Sequence, residues 1–466
     1  MNDIFHINTK HIIPLVLTIT IVILFSMLFY FEMRMLDRVI LSFIITSFIS
    51  LIIYYILNKT FEDKFVSKIF LISILLHFVF ILFWQILKYY GLGLQMPTEN
   101  IFEGYISDVD GIKYHALGVE VNKYLNMHRL GILREKMYGG FFPKMIGILY
   151  HYTGTFNPFL ICCLNSICAG IVAPVIYFIG KITLKDIELS KLYAFFFIIT
   201  FSFIMNTSTV MRDVYITLFI YLSIFLSYLF YKTRNPFFLV STIFSLHCLR
   251  LFRPYACYIV FIAIIAAYIL HNIKIVREGP RIKVNKITLG LIVLSPVLAV
   301  ILCFIFIKLT HAFGVIGSAE DLIHVREISY TGSNTDYAFD FSEIYSIFPP
   351  LAIFLGLCCL FFAPFPWEWV LVRRIIYVPD MIMLYCFLPS FFKNILLIFK
   401  EKNYILTIFF ITLLMQFSIY CITLGNSGSI HRLRGPFIPM IYLIAMYRPD
   451  KILNKFINKI RSWRVV

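Results

Sequence analysis

The sequence predicts an all-α polytopic membrane protein with about 11–13 transmembrane helices and two longer extracytoplasmic loops. Three observations predict it. The 466 residues are 60% hydrophobic, 18% aromatic and only 14% charged, whereas soluble domains are about half apolar and a quarter charged. Apolar runs recur from end to end, for example 12–31, 39–57 and 65–87; a run of about 20 residues crosses a ~30 Å hydrocarbon core. Lys and Arg gather in short loops and at the C-terminus, as the positive-inside rule requires.

The first run lacks a basic lead and an A-x-A cleavage site, so it is expected to be a retained helix. The net charge of +16 would suggest nucleic acid in a soluble protein. Here anionic lipid accounts for it, and no nucleic-acid partner is expected. The ten cysteines, including Cys162/Cys163 and Cys358/Cys359, lie in apolar spans and read as small packing residues. No CxxC or Cys/His cluster supports a structural metal.

After three spans the pattern turns polar over 88–138, a loop carrying Glu99, Glu103, Asp108, Asp110, Glu120 and Glu135. Residues 139–154 are too short and interrupted for a span and suit a helix at the interface. Spans are expected at 157–180, 192–205, 213–231, 237–249, 255–270 and 287–307. A second extracytoplasmic loop, 308–347, precedes candidates at 351–365, 376–392, 404–424 and 437–446, and a basic tail covers 447–466. The whole chain, 1–466, reads as a single integral membrane domain. No internal repeat emerges, which disfavours an inverted-repeat transporter.

The basic segment Lys274, Arg277, Arg281, Lys283 and Lys286 and the tail with Arg448, Lys451, Lys455, Lys459, Arg461 and Arg464 should both be cytoplasmic. Five candidate spans separate them, an odd number. One must therefore be re-entrant or interfacial, and the suspects flank Ala363–Trp369 with its two prolines. Alternation then puts the Asp108 loop, Arg212/Asp213, Arg250/Arg253 and 308–347 on the opposite, outer face.

Ionisable groups in or beside membrane helices mark candidate sites. Arg212 and Asp213 open a helix; the plain alternative is an Asp on a helix dipole beside a snorkelling Arg. Arg250 and Arg253, at i and i+3, would share a helix face and could grip a phosphate, or else anchor the interface. Gly425, Ser427, Gly428, His431, Arg432 and Arg434 suggest a Gly-rich turn that clamps phosphate or pyrophosphate. Asp108 and Asp110 form a DxD pair. They could share a divalent cation, or one could act as a general base beside the membrane, or "DVDG" could be a solvated turn.

These residues resemble the GT-C superfamily of polyprenyl-phosphate-dependent membrane glycosyltransferases, including bacterial protein O-mannosyltransferase-like and aminoarabinose-transferase-like proteins. Their first outer loop carries an acidic residue, a Tyr four positions on and then a small residue, to which Asp110, Tyr114, His115 and Ala116 are similar. The stretch 139–181, "STVMRD", "RLFRPY" and "HRLRGPFIPMIYLIA" extend the likeness. Three spans precede the acidic loop here where the family usually has one, and Leu433-Arg434 stands where it has Arg-Tyr. The resemblance implies a GT-C-like fold and Asp110, more than Asp108, as catalytic base. It also implies Tyr114, His115, Arg212, Asp213, Arg250, Arg253, His431, Arg432 and Arg434 as substrate-binding residues. The implied partners are a polyprenyl-phosphate- or polyprenyl-pyrophosphate-linked saccharide, a saccharide or lipid acceptor, and membrane lipids; no cofactor is implied beyond the metal alternative at Asp108/Asp110. Tyr105, Tyr114 and Trp367 could stack on sugar or guide the prenyl chain, or anchor the interface. The implied place is a bacterial cytoplasmic (inner) membrane, crossed many times. Bacterial O-unit polymerases, also polytopic and rich in outer-loop Arg, are the alternative resemblance. A flippase or ion-coupled transporter would need charges at mid-membrane, whereas Asp213, Glu343 and Asp380 sit at span edges.

Overall fold

Inside a bilayer every backbone N–H and C=O must be satisfied within its own segment, so long apolar runs fold as helices. The computed structural model describes residues 35–89, 109–127, 140–154, 156–272, 275–278, 281–284, 344, 348–363, 365–366, 377–401, 403–423 and 427–462. The first helices are α1 (Met35–Thr60), α2 (Phe65–Tyr89), α3 (Val109–Asn126), α4 (Phe141–Thr153), α5 (Pro158–Leu184), α6 (Ile187–Ile198) and α7 (Phe201–Thr207). There follow α8 (Asp213–Thr233), α9 (Pro236–Phe252), α10 (Pro254–Asn272) and a two-stranded antiparallel ribbon, β1 (Ile275–Glu278) with β2 (Arg281–Val284). The last are α11 (Pro349–Phe362), α12 (Val378–Glu401), α13 (Tyr404–Thr423), α14 (Ser427–Arg434), α15 (Ile438–Tyr447) and α16 (Lys451–Ser462).

Among the described residues six helices are long and apolar enough to cross a membrane: Ser42–Thr60, Phe65–Phe83, Pro158–Leu184, Asp213–Thr233, Pro254–His271 and Tyr404–Cys421. The pair α6 and α7, bent by 52°, makes a seventh if it is one span. The chain is a multi-pass, all-α membrane protein. The expected spans 12–31 and 287–307 lie outside the described residues, as does all of the loop 308–347 except Ile344. The span expected at 192–205 is the broken pair α6/α7. The polar stretch 88–138 contains an 18-residue helix, α3. Helix α11, with 14 residues, rises only about 21 Å, short of a full crossing. The nine described cysteines are all free.

The chain separates into two compact units, Met1–Leu222 and Ser223–Val465. In the first, α5 packs against α1, α2 and α6, and α3 packs against α4. At one end the Tyr177 hydroxyl donates to the Asp63 carboxylate, and Lys181 Nζ lies 3.6 Å from it. Lys185 turns the chain with a left-handed φ of 57°, and the Asp186 side chain then caps α6 by accepting from Leu189 N at 2.9 Å. Lys59, Lys64, Lys68, Lys181, Lys185 and Lys191 therefore collect at the α1–α2 and α5–α6 turns, the end the positive-inside rule assigns to the cytoplasm. At the other end the non-helical segment 208–212 links α7 to α8. Its carbonyls would be costly to bury unpaired. Asn165 Nδ2 satisfies two of them, donating to Thr209 O at 2.7 Å and Met211 O at 3.0 Å. His77 Nε2 lies 2.6 Å from Thr207 Oγ1 and ties α2 to α7.

In the second unit α10 packs against α9 and α13, α11 against α13, and α12 against α13, α15 and α16. Arg234 repeats the Lys185 device: φ is 57°, and Asn235 then caps α9 by accepting from Phe237 N at 2.9 Å, with Pro236 in the first turn. Arg234 Nη1 donates to Tyr268 Oη at 2.6 Å, and Tyr231 stacks on Tyr404 with centroids 4.5 Å apart. Glu401 holds Arg448 at 2.5 Å and accepts from the Tyr447 hydroxyl at 2.5 Å. These residues mark the basic end of this unit.

Candidate functional site

The acidic motif lies on α3, which begins at Val109. Asp108, Tyr105 and Trp367 lie outside the described residues, as does the Asp110 side chain. Asp110 is the second residue of the helix, so "DVDG" does not form a loop turn from Val109 onward. One turn on, Tyr114 is buried, its ring edge-on to Phe142 of α4 with centroids 5.2 Å apart. Its neighbour His115 places Nδ1 2.9 Å from the Tyr150 hydroxyl. Burial lowers the His115 pKa and raises that of Tyr150, so both are held neutral at pH 7.

Helix α3 can approach α4 this closely because two glycines face each other across the pair. A Cβ on Gly118 would run into Ile146 Cγ2, and one on Gly147 into Val121.

Arg212 reaches this motif from the 208–212 segment, its guanidinium 5.6 Å from the centre of the Tyr114 ring, within cation–π range. Its Nε is buried and makes no hydrogen bond among the described residues. Asp213 is buried as the first residue of α8, and Tyr215 packs against Phe142 at 5.8 Å. Arg212 thus meets Tyr114, with His115 and Asp213 their chain neighbours, at the end of this unit opposite Lys59, Lys64, Lys181 and Lys185, while Lys113, Lys123 and Lys144 lie on α3 and α4 themselves.

In the second unit, Arg250 is exposed in the last turn of α9, whereas Arg253 is buried. The two do not share a helix face as expected. Pro254 disfavours helical backbone at the preceding residue, and Arg253 is accordingly extended at φ −151°, ψ 90°. Its guanidinium lies 5.7 Å from the Tyr255 ring centre, and the Tyr255 and Tyr420 hydroxyls are 3.1 Å apart.

The expected Gly-rich turn is helical from Ser427 onward, as α14. Arg434 is fully buried. Its Nη1 donates to Leu360 O at 2.7 Å, and Nη2 lies 3.2 Å from Ala363 O and 2.9 Å from His431 Nδ1. His431 is also buried and stacks on Tyr377 at 3.9 Å. Arg432 is half-buried. All five cationic candidates of this unit lie at its end opposite Arg234 and Glu401. Burial divides them: Arg434 ties α14 to the end of α11, while Arg250 presents its charge outward.

No protein-family model, curated protein or solved structure matches this chain. The site is therefore argued from its own geometry. Sequence reasoning missed Phe142, Tyr150, Asn165 and Tyr215 in the first unit and Tyr255, Tyr377 and Tyr420 in the second. Tyr150 had a local signal, because it lies in the interrupted stretch 139–154. Asn165 had only its polarity within an apolar span, which marks such residues as costly and purposeful. Among the described residues no group of three His, Cys, Asp or Glu side chains could hold a metal, and the Asp108/Asp110 pair lies outside that search.

Proposed function

We propose that this chain is a glycosyltransferase of the outer face of a bacterial cytoplasmic membrane, using a polyprenyl-phosphate-linked sugar in surface-polysaccharide or lipopolysaccharide assembly. The observation that carries this proposal is the joining of Arg212 to Tyr114. It sets a guanidinium with a buried, unused Nε beside the helix whose second residue is Asp110. Asp110 accepts the proton of the acceptor hydroxyl; the acceptor oxygen bonds to the anomeric carbon as the sugar–phosphate bond breaks, and its electron pair leaves on the phosphate. A preorganised guanidinium in a partly dry site stabilises that charge. In the second unit, taken by itself, Arg250, Arg253, His431, Arg432 and Arg434 are the further phosphate candidates; Arg250 is exposed, and Arg434 with His431 positions α14.

The lysines at the α1–α2 and α5–α6 turns support the outer-face reading. The test is Asp110→Asn in a strain lacking the native chain, with membrane levels matched. Loss of the surface glycan, as in the deletion, supports the assignment, and full restoration refutes it. Residual chains of a single repeat unit would assign polymerisation of preassembled units instead. Transfer by the purified chain from a nucleotide sugar without any lipid carrier would overturn the donor class.

A further inference from the structure

We propose that α16 is a built surface for an anionic lipid leaflet, so that the last helix docks flat on the membrane it belongs to. This inference is independent of the proposed chemistry. The 12-residue helix KILNKFINKIRS carries four basic residues and no acid. Its side chains sort into rows by the helical repeat. Leu453 and Ile457, each 1% exposed, form the inner row, on a helix that packs against α12. The adjoining row is apolar and reaches the surface, with Ile452 72% and Phe456 39% exposed. The row beyond it is Lys451, Lys455 and Lys459, with Lys451 and Lys455 exposed.

The orientation of these rows is fixed by the protein. Asp450 Oδ1 caps α16 by accepting from Leu453 N at 2.8 Å, and its own N–H donates to Ser390 Oγ of α12 at 2.9 Å. Nearby, Glu401 of α12 holds Tyr447 and Arg448 just before the helix. An apolar strip bordered by lysines, on a helix pinned to α12 at the basic end of its unit, has the chemistry of an interfacial helix. The apolar row enters the acyl boundary and the lysines meet anionic headgroups.

The test uses the full chain in phosphatidylcholine vesicles with and without phosphatidylglycerol. Trp84, Trp367, Trp369 and Trp463 are changed to Phe, and a single tryptophan is introduced as Phe456→Trp or, on the polar side, as Asn458→Trp. Brominated phosphatidylcholine should quench the first strongly and the second weakly. Equal quenching at both positions, or none at either, overturns the proposal. In the otherwise native chain, Lys451→Gln/Lys455→Gln/Lys459→Gln should lower retention of phosphatidylglycerol relative to phosphatidylcholine by about fivefold per lysine, read by native mass spectrometry. Unchanged retention in that variant also overturns it, whatever the fate of the tryptophan background.

Discussion

Gly118→Ala is the sharpest perturbation of the α3–α4 pair that carries the acidic motif. The new Cβ would meet Ile146 Cγ2 at once, with Ile146 Cβ at 3.0 Å, while the nearest backbone atom, Gly147 N, stands at an ordinary 3.5 Å. The obstruction is therefore mainly one side chain, and that side chain is itself fully buried. Overpacking of this kind costs about 1–3 kcal/mol. Ile146→Ala alone leaves a cavity and costs about 2–5 kcal/mol. In the double variant the alanine at 118 moves into space the isoleucine vacated, so the two costs should fall short of their sum by about 1–3 kcal/mol. The assay is a double-mutant cycle on the purified full chain in micelles, using equilibrium unfolding. Costs that add within about 0.5 kcal/mol would refute direct contact of Gly118 with Ile146, and with it the seating of Tyr114 and His115 against α4.

Three further outcomes follow from the described contacts. His115 has its pKa lowered by burial, so between that value and the unfolded value of about 6.5 the unfolded chain binds more protons. The His115 contribution to thermal stability should be constant above about pH 6.5 and fall as pH drops below it, and His115→Gln should lessen the slope of stability against pH. Arg434→Lys keeps the charge but loses a fork whose Nη atoms reach Leu360 O and Ala363 O. Each lost bond to a charged donor costs about 1.5–3 kcal/mol, so the variant should show a lower melting temperature and a broad size-exclusion profile even in the absence of any substrate. Tyr114→Phe preserves the ring beneath Arg212 and should complement a deletion strain, whereas Arg212→Gln should fail to complement at equal membrane level.

The helices that cross the bilayer were legible because their signal is local: length and hydropathy sufficed for α1, α2, α5, α8, α10 and α13. The break between α6 and α7 was not. Thr200 there satisfies its own polarity by donating to Phe196 O at 2.9 Å, and nothing in a run of Phe and Ile announces the bend. The Arg250/Arg253 face was misread because helical spacing was extended through the residue before Pro254, where sterics end the helix. Tyr114 and Arg212 were each visible as single polar features, but their meeting depends on Asn165 anchoring two carbonyls of the 208–212 segment from another helix. Such a long-range pairing has no period to detect.

Burial supplies what spacing could not, a ranking among the arginines. A guanidinium whose Nη groups donate to protein carbonyls inside a membrane unit is committed to the fold, and removing it threatens the fold. Arg434 is such a residue, with Leu360 O and Ala363 O as acceptors. Arg212 differs: it rests on an aromatic face, which takes up its charge without using its N–H groups. Holding a cation by its π-face leaves the donor edge for an anion. On this distinction, loss of Arg434 should be seen first in stability and loss of Arg212 first in activity. A pair of variants that reversed this order would place the anion site in the second unit.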